Sequence, residues 1–306
     1  MAAVSPRAIG CPVCGAPTAV AFRVRGHDIR RCAGCTHRFS AVETGTGADH
    51  VRRVYGDHYF TGGGAGYPDY LADGGLLRER GRGYARLIAG ATTPGRVLDI
   101  GAAAGFVLQG LCDEGWRGAG IEPNATMAAH ARERLGLDVR TGTLEQATGS
   151  PGEDLPAPVG GFDLVTMIQV VAHFHDLREA LARAQALTAP GGHWLIETWD
   201  SASLSARLLG RHWHEYNPPS VLHQFSRASL VSLAAQFGMA PVQSGRPARR
   251  ISGAHAKSLL RHQLGTGALG RLASAALAVV PDRVSLPYPA DDLFWILLRK
   301  DSRAGR

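Results

Sequence analysis

The 306 residues contain no apolar run of bilayer length. The longest late run, Leu272 to Val280, falls far short of the ~20 residues a spanning helix needs. The start, MAAVSPRAIGC, lacks the charged and apolar regions of a secretory signal. A cytoplasmic protein with no membrane partner is expected. Cysteine is scarce at five residues, with two disulfides or free thiols as the alternative to a metal site, and a cytoplasmic location argues against disulfides. Apolar content is 45%, which speaks against general disorder. Acidic residues are in deficit, leaving a net charge of +7. From Arg246 to Arg306 eleven Lys or Arg stand against four Asp or Glu, and the rest of the chain balances. Such a stretch can attract nucleic acid or anionic substrates, but a solvated Arg-rich surface has the same composition.

Four of the five cysteines form two close pairs, Cys11-Pro-Val-Cys14 and Cys32-Ala-Gly-Cys35. Two C-x2-C knuckles at this separation fit four thiolates around one tetrahedral zinc ion. Gly15 and Gly34 suit turns that aim two sulfurs at one metal. Ala19 to Val24 and Asp28 to Arg31 read as short paired strands. The module has too little core to fold alone, so the metal is expected to stabilise it. His37 follows closely as an alternative ligand, but four cysteines already fill the shell. The zinc is therefore expected to be structural. Cys112 reads as a small core residue of an amphipathic helix.

Residues 41 to 75 are rich in Gly, Asp, His and Tyr. Tyr55, Tyr59, Phe60, Tyr67 and Tyr70 are many aromatics for a plain linker. A lid over a ligand and a linker anchored by aromatics are both consistent with them. Leu76 to Ala89 reads as a helix burying Leu77, Tyr84, Leu87 and Ile88.

After Pro94-Gly95 the pattern becomes strand, Gly-rich turn, helix: Arg96 to Ile100, then Gly101-Ala-Ala-Ala-Gly105, then a helix from Phe106. This arrangement brings backbone close to a nucleotide ligand. A second strand, Gly118 to Ile121, ends in Glu122, placed to accept hydrogen bonds from a ribose diol. The turn lacks G-x-G-x-x-G and offers no pyrophosphate cradle. A ligand with adenosine and no phosphates fits better than NAD or FAD. Further strands are expected at Asp138 to Thr141, Phe162 to Ile168 and His193 to Thr198. Ala189-Pro-Gly-Gly192 reads as the turn before the last of these.

VLDIGAAAG resembles motif I of class I S-adenosylmethionine-dependent methyltransferases, and GIEPN resembles their second motif. The resemblance implies an α/β, Rossmann-like sheet with helices on both faces, here with a small N-terminal zinc ribbon. It implies S-adenosylmethionine as cofactor, held by Asp99, Gly101, Ala103, Gly105, Glu122, Pro123, Thr143, Leu144 and Gln169. Ala103 departs from the usual middle glycine. The resemblance also implies that Ala240 to Ser244 and Leu293 to Arg299 form a last antiparallel pair. Between them two helical stretches are expected, Ala254 to Leu264 and Ala268 to Val279.

Methyl transfer is an in-line displacement, in which the protein supplies alignment and, for a hydroxyl or carbon acid, a base. Ile168-Gln-Val-Val-Ala-His173 resembles a family segment with a histidine at its end. A later segment, running to Pro218-Pro-Ser-Val-Leu-His223-Gln-Phe-Ser226, resembles another, with Trp213, His214 and Tyr216 as pocket walls. His223 and His173 are thus the candidate catalytic residues, and a structural tether is the alternative reading of each. Ser226 is the expected N-cap of a helix burying Leu230, Leu233, Ala234 and Phe237.

The expected organisation is a zinc ribbon over 1–42, a Gly/Tyr-rich lid or linker with its helix over 43–92, a cofactor-binding core over 93–245, and a helical insertion with the last strand over 246–306. The leading function is S-adenosylmethionine-dependent methylation of a small-molecule acceptor at O, N or C. Methylation of rRNA or tRNA and a non-catalytic cofactor-binding scaffold are the alternatives. A homodimer contact is left open.

Overall fold

The computed structural model describes residues 9–41, 47–62, 69–146, 160–247, 250–254, 257, 281–287 and 291–301. The first unit is a hairpin of β1 (Thr18–Val24) and β2 (His27–Cys32), extended by β3 (Arg38–Ala41). Arg25 and Gly26 both have positive φ (50° and 82°), the twist a two-residue hairpin loop requires.

Three helices follow: α1 (Gly47–Val54), α2 (Asp57–Thr61) and α3 (Gly74–Ile88). The buried stripe of α3 runs through Leu77, Gly81, Tyr84, Ala85 and Ile88 and faces α4 (Phe106–Asp113). Leu87, expected inside, is 36% exposed, because one residue along a helix turns a side chain about 100° off the stripe. The two helices meet at glycines. A Cβ on Gly81 would strike the Val107 carbonyl, and one on Gly110 would strike that of Arg78.

The central sheet is built from β4 (Arg96–Ile100), β5 (Arg117–Glu122), β6 (Asp138–Thr141), β7 (Phe162–Ile168) and β8 (Thr188–Trp199), all parallel. Between them run α5 (Ala125–Leu135) and α6 (Leu177–Leu187), and after them α7 (Leu204–Leu209). Asn124 caps α5, Asp176 caps α6 and Ser226 caps α8 (Arg227–Ala235), the last with a full capping box. A two-residue strand, β9 (His223–Gln224), precedes α8, and β10 (Met239–Gly245) follows it. The chain continues through a small hairpin, β11 (Arg250–Ser252) with β12 (Ser285–Pro287), and ends in β13 (Leu293–Lys300).

The sheet order is β10-β13-β8-β7-β4-β5-β6, with β13 antiparallel to both neighbours. Strand order reverses at β4, which opens a crevice at the carboxyl ends of β4, β5 and β7. Apolar cores cover both faces. One includes Leu98, Val165, Trp194 and Leu230, the other Ile88, Val97, Leu108 and Leu164.

The N-terminal unit is joined to this sheet's loops by backbone pairing. β9 adds to β3, with Phe39 opposite His223, and completes a four-stranded sheet β1-β2-β3-β9. Cys11, Val13 and Cys32 belong to the same core as Phe225 and Leu230.

Two expectations change. Ala189 to Gly192 lies inside β8 rather than before it, accommodated by an irregular register opposite Phe162 and by positive φ at Gly191 (73°). Most of the two helical stretches between 254 and 279 lies outside the described residues, and the β11–β12 hairpin beside them was not anticipated. Among the described residues no helix is long and apolar enough to cross a membrane.

Candidate active site

The Gly-rich turn after β4 is shaped by three left-handed residues, Gly101 (φ 72°), Ala103 (φ 48°) and Gly105 (φ 84°). Side chains at the two glycines would collide with Val170 and with Leu137 and Ala131. Gly101 and Ala102 donate to the Ile121 carbonyl at 2.8 and 3.1 Å, tying the turn to β5. Asp99 beneath the turn is buried and accepts the Thr166 hydroxyl at 2.6 Å. Burial pushes its carboxyl up to about 7, against that hydrogen bond.

Glu122 sits at the end of β5, 3% exposed. Its two oxygens accept backbone N–H groups of Ala103 (2.8 Å) and Asn124 (2.7 Å). Burial raises this carboxyl to about 7. Each oxygen keeps a lone pair, so a diol can still donate to it. Pro123 follows, and the Gly142 amide donates to the Glu122 carbonyl at 2.9 Å, bringing Thr143 and Leu144, both buried, beside the same strand end. Gln169 lies at the end of β7 in a left-handed conformation (φ 59°), its amide bonded to the Glu197 carbonyl at 2.8 Å. The structure thus brings Asp99, Gly101, Ala103, Gly105 and Glu122 to one turn, with Pro123, Thr143 and Leu144 on its β6 side and Gln169 on its β7 side. Positive-φ backbone, a buried carboxylate at the strand end and no basic side chain among these residues fit a nucleoside without phosphates.

Ala103 carries a Cβ in a region that disfavours one by roughly 1 kcal/mol. Ala103→Gly is expected to raise unfolding stability by about 1 kcal/mol, read as a higher urea midpoint at unchanged slope. A lowered midpoint would contradict the left-handed turn.

Beside the crevice stands a cluster of rings. His173 is partly buried, its Nδ1 at 2.8 Å from the Ser220 carbonyl and 2.9 Å from the Tyr55 hydroxyl. That hydroxyl donates to the same carbonyl at 2.7 Å. A carbonyl only accepts, so Nδ1 carries the proton and Nε2 is the acceptor of the neutral ring. Burial holds the imidazole below its ordinary pKa and lifts the Tyr55 phenol above its own. His50, Tyr59 and His175 complete the cluster, with ring centroids 5.3 to 6.4 Å apart along the chain of contacts.

His223 is placed otherwise. Its Nε2 meets the Phe174 carbonyl at 3.1 Å, and its ring stacks on His37 at 5.7 Å in the seam between β3 and β9. Burial lowers it to about 4. Trp213 and Tyr216 also pack in a seam, with Ile29, rather than lining an open pocket. The Trp213 indole donates to Asp292 at 2.8 Å, and Arg38 donates to the Tyr216 hydroxyl at 2.9 Å.

Cys11, Cys14, Cys32 and Cys35 have all four sulfurs within 4.8 Å of one another. Two of the separations are 3.4 and 3.6 Å. Zinc–sulfur bonds of ~2.3 Å in a tetrahedron place sulfurs about 3.8 Å apart, so the spacing fits. Val13 N–H points at Cys11 Sγ (3.4 Å), and the Gly34 and Cys35 N–H groups point at Cys32 Sγ (3.3 Å), contacts that favour thiolates. The left-handed positions are Gly15 (φ 74°) and Thr36 (φ 61°), not Gly34, which instead packs tightly on Ala16. His37 is outside the sulfur cluster.

Three contributors were not read from the sequence. Glu197 in β8 is fully buried, paired with Arg80 and accepting the Tyr84 hydroxyl at 2.5 Å. A carboxylate inside the apolar run Trp194-Leu-Ile-Glu-Thr was a visible signal. Ser220 acts through its backbone, which leaves no signal. Asn124 was visible only as part of a motif.

Sheet order, switch-point crevice and turn define a class I, Rossmann-like methyltransferase. The family described as "Methyltransferase domain" matches residues 75–244, more than half of the chain, and the chain belongs to it. A ubiquinone biosynthesis O-methyltransferase of Rhodopseudomonas palustris (strain BisB18) is 28% identical over 163 residues, covering 47% of this chain and 61% of that protein. The corresponding protein of Bradyrhizobium diazoefficiens is 30% identical over the same shares. The match therefore spans about three fifths of these relatives. The 1,6-didemethyltoxoflavin-N1-methyltransferase of Burkholderia thailandensis shares the fold, with a TM-score of 0.51 at 16% identity, covering 92% of this chain and 99% of that one.

Proposed function

We propose that this enzyme methylates a hydroxyl of a small-molecule acceptor, with His173 as the base. The observation that carries the reading is the setting of His173: Nδ1 lies against the Ser220 carbonyl and the Tyr55 hydroxyl, which leaves Nε2 as the nitrogen to take a proton. Glu122 holds the ribose diol, the backbone from Gly101 to Gly105 runs alongside the nucleoside, and Thr143, Leu144 and Gln169 flank it. When bound, S-adenosylmethionine supplies a methyl group already activated on sulfonium. His173 accepts the hydroxyl proton as the oxygen gains the methyl. Tyr55, Tyr59, His50 and His175 bound the acceptor with aromatic rings, which suits a phenolic molecule. The names of the curated relatives agree with oxygen as the acceptor atom.

The four cysteines hold a structural zinc. Its shell of four sulfurs leaves no open position for chemistry.

The acceptor class is tested with S-adenosylmethionine labelled in its methyl group, offered with a panel of small phenols, amines and carbon acids, and separately with total RNA. Transfer to phenolic members is expected. Transfer to RNA alone, or to amines alone, would overturn the reading.

A further inference from the structure

Asn124 stands between the two halves of the site. Its backbone N–H donates to Glu122 Oε1 at 2.7 Å. Its side-chain oxygen accepts the Met127 amide at 2.9 Å and caps α5. Its side-chain nitrogen reaches the other way, to the Tyr55 carbonyl at 3.0 Å and to Asp57 Oδ1 at 3.0 Å. The residue is 6% exposed, so all three polar groups are committed inside the protein. Capping needs only the oxygen, which serine or aspartate supplies equally well. Only an amide offers the cap oxygen and two further N–H donors on one short side chain.

The two acceptors of that nitrogen belong to the junction of α1 and α2. Tyr55 carries the hydroxyl that faces His173 and Ser220. From Tyr59 a chain of ring contacts reaches Phe106, the first residue of α4 after the Gly-rich turn: Tyr59 to Phe60 (5.3 Å), Phe60 to Tyr70 (5.4 Å), Tyr70 to Phe106 (6.1 Å). Asp57 is exposed and its carboxyl is held below the usual range by the Asn124 and Thr126 hydrogen bonds.

We infer that Asn124 is a positioning residue that latches the α1–α2 segment to the cofactor's ribose site, so that nucleoside binding at Glu122 sets the ring and hydroxyl of Tyr55 beside His173. The inference rests on the reading of Glu122 as the diol acceptor. A nucleoside held by Glu122 fixes the turn from Glu122 to Asn124. The side chain of Asn124 then anchors the backbone of Tyr55 on a rigid support. Cofactor and acceptor sites are thereby coupled through one amide.

Hydrogen exchange with S-adenosylhomocysteine as the only ligand tests this. In the wild-type chain, saturation is expected to slow exchange of the amides from Val51 to Thr61 by about tenfold, equivalent to about 1.4 kcal/mol of added protection. In Asn124→Ser the cap on Met127 is retained and the reach to Tyr55 and Asp57 is lost. Calorimetry should show binding within about threefold of wild type, because the backbone bond to Glu122 persists. The slowing of Val51 to Thr61 should vanish while the amides of α5 exchange as before. If α5 also opens in Asn124→Ser, Asn124→Asp decides, since aspartate supplies the cap oxygen and has no N–H to give Tyr55 or Asp57: loss of the slowing there with α5 intact supports the latch. Unchanged slowing in Asn124→Ser, or in Asn124→Asp when it must decide, overturns the latch. So does absence of slowing in a wild-type chain that binds the ligand. The Glu122 reading fails separately, if Glu122→Gln binds S-adenosylhomocysteine as tightly as wild type rather than about 10- to 100-fold more weakly.

Discussion

Stripping zinc from the N-terminal cysteines is expected to abolish methyl transfer while sparing S-adenosylhomocysteine binding. The route is short and made of backbone. β3 begins three residues after Cys35. Ser40 donates its amide to the Leu222 carbonyl at 2.8 Å and its hydroxyl to the Val221 carbonyl at 3.1 Å. Phe39 pairs with His223. The segment so held carries the Ser220 carbonyl that fixes both His173 and Tyr55. A structural zinc contributes about 10–16 kcal/mol to a small module, as much as the whole stability of an ordinary domain. Without it the four sulfurs would lose their common partner and β3 its alignment. Glu122 and the Gly-rich turn are held by β4, β5 and α5, none of which touches the sulfurs through these bonds. Chelation, or Cys32→Ser with Cys35→Ser, should therefore lower turnover by about 10²-fold or more, the scale of losing a positioned base. Metal analysis should give one zinc per untreated chain. Full turnover in a zinc-free chain, or ligand binding lost in step with turnover, would each defeat this account.

His173→Ala is expected to reduce kcat by about 10²- to 10⁴-fold at saturating cofactor, the usual contribution of a general base. Binding of S-adenosylhomocysteine should be unchanged. In the wild type the base works only when deprotonated. Burial holds the imidazole pKa below 6.5, so kcat should rise with pH through an acid limb below 6.5 and stay flat through neutrality. Removing the ring should remove that limb from the residual rate. His223→Ala is the informative partner. Its Nε2 is committed to the Phe174 carbonyl and its ring to the β3–β9 seam, so it should lower stability by about 1–3 kcal/mol with little effect on kcat per folded enzyme. Near wild-type turnover in His173→Ala, or a collapse of kcat in well-folded His223→Ala, would reverse the two roles.

Most of the parallel core was legible because β4 and β7 are short, largely apolar runs closed by turn residues. β4, β6 and β7 have the bounds read from the sequence, and β5, β10 and β13 differ by a residue or two at their ends. The four cysteines were legible for the same reason: their spacing is local. What stayed hidden is non-local. The hydrogen bond from His173 to the Ser220 carbonyl spans 47 residues and that from Tyr55 to the same carbonyl spans 165. One acceptor is a backbone carbonyl, which every residue has. β9 is two residues long, below any periodicity, yet it decides where the ribbon attaches. Leu87 shows the opposite case, an apolar residue that helical spacing places inward and the packing of α3 leaves 36% exposed.

The shared sheet of β1, β2, β3 and β9 also sets where this chain can be divided. A cut after residue 41 would seem to free a catalytic domain from a detachable metal module. It would instead leave β9 as an unpaired edge and uncover Phe225, a residue with no exposed surface, on the flank that Cys11, Val13 and Cys32 now cover. An edge of that kind invites association with other chains. Expression work, circular permutation and domain grafting therefore have to keep the ribbon with the transferase.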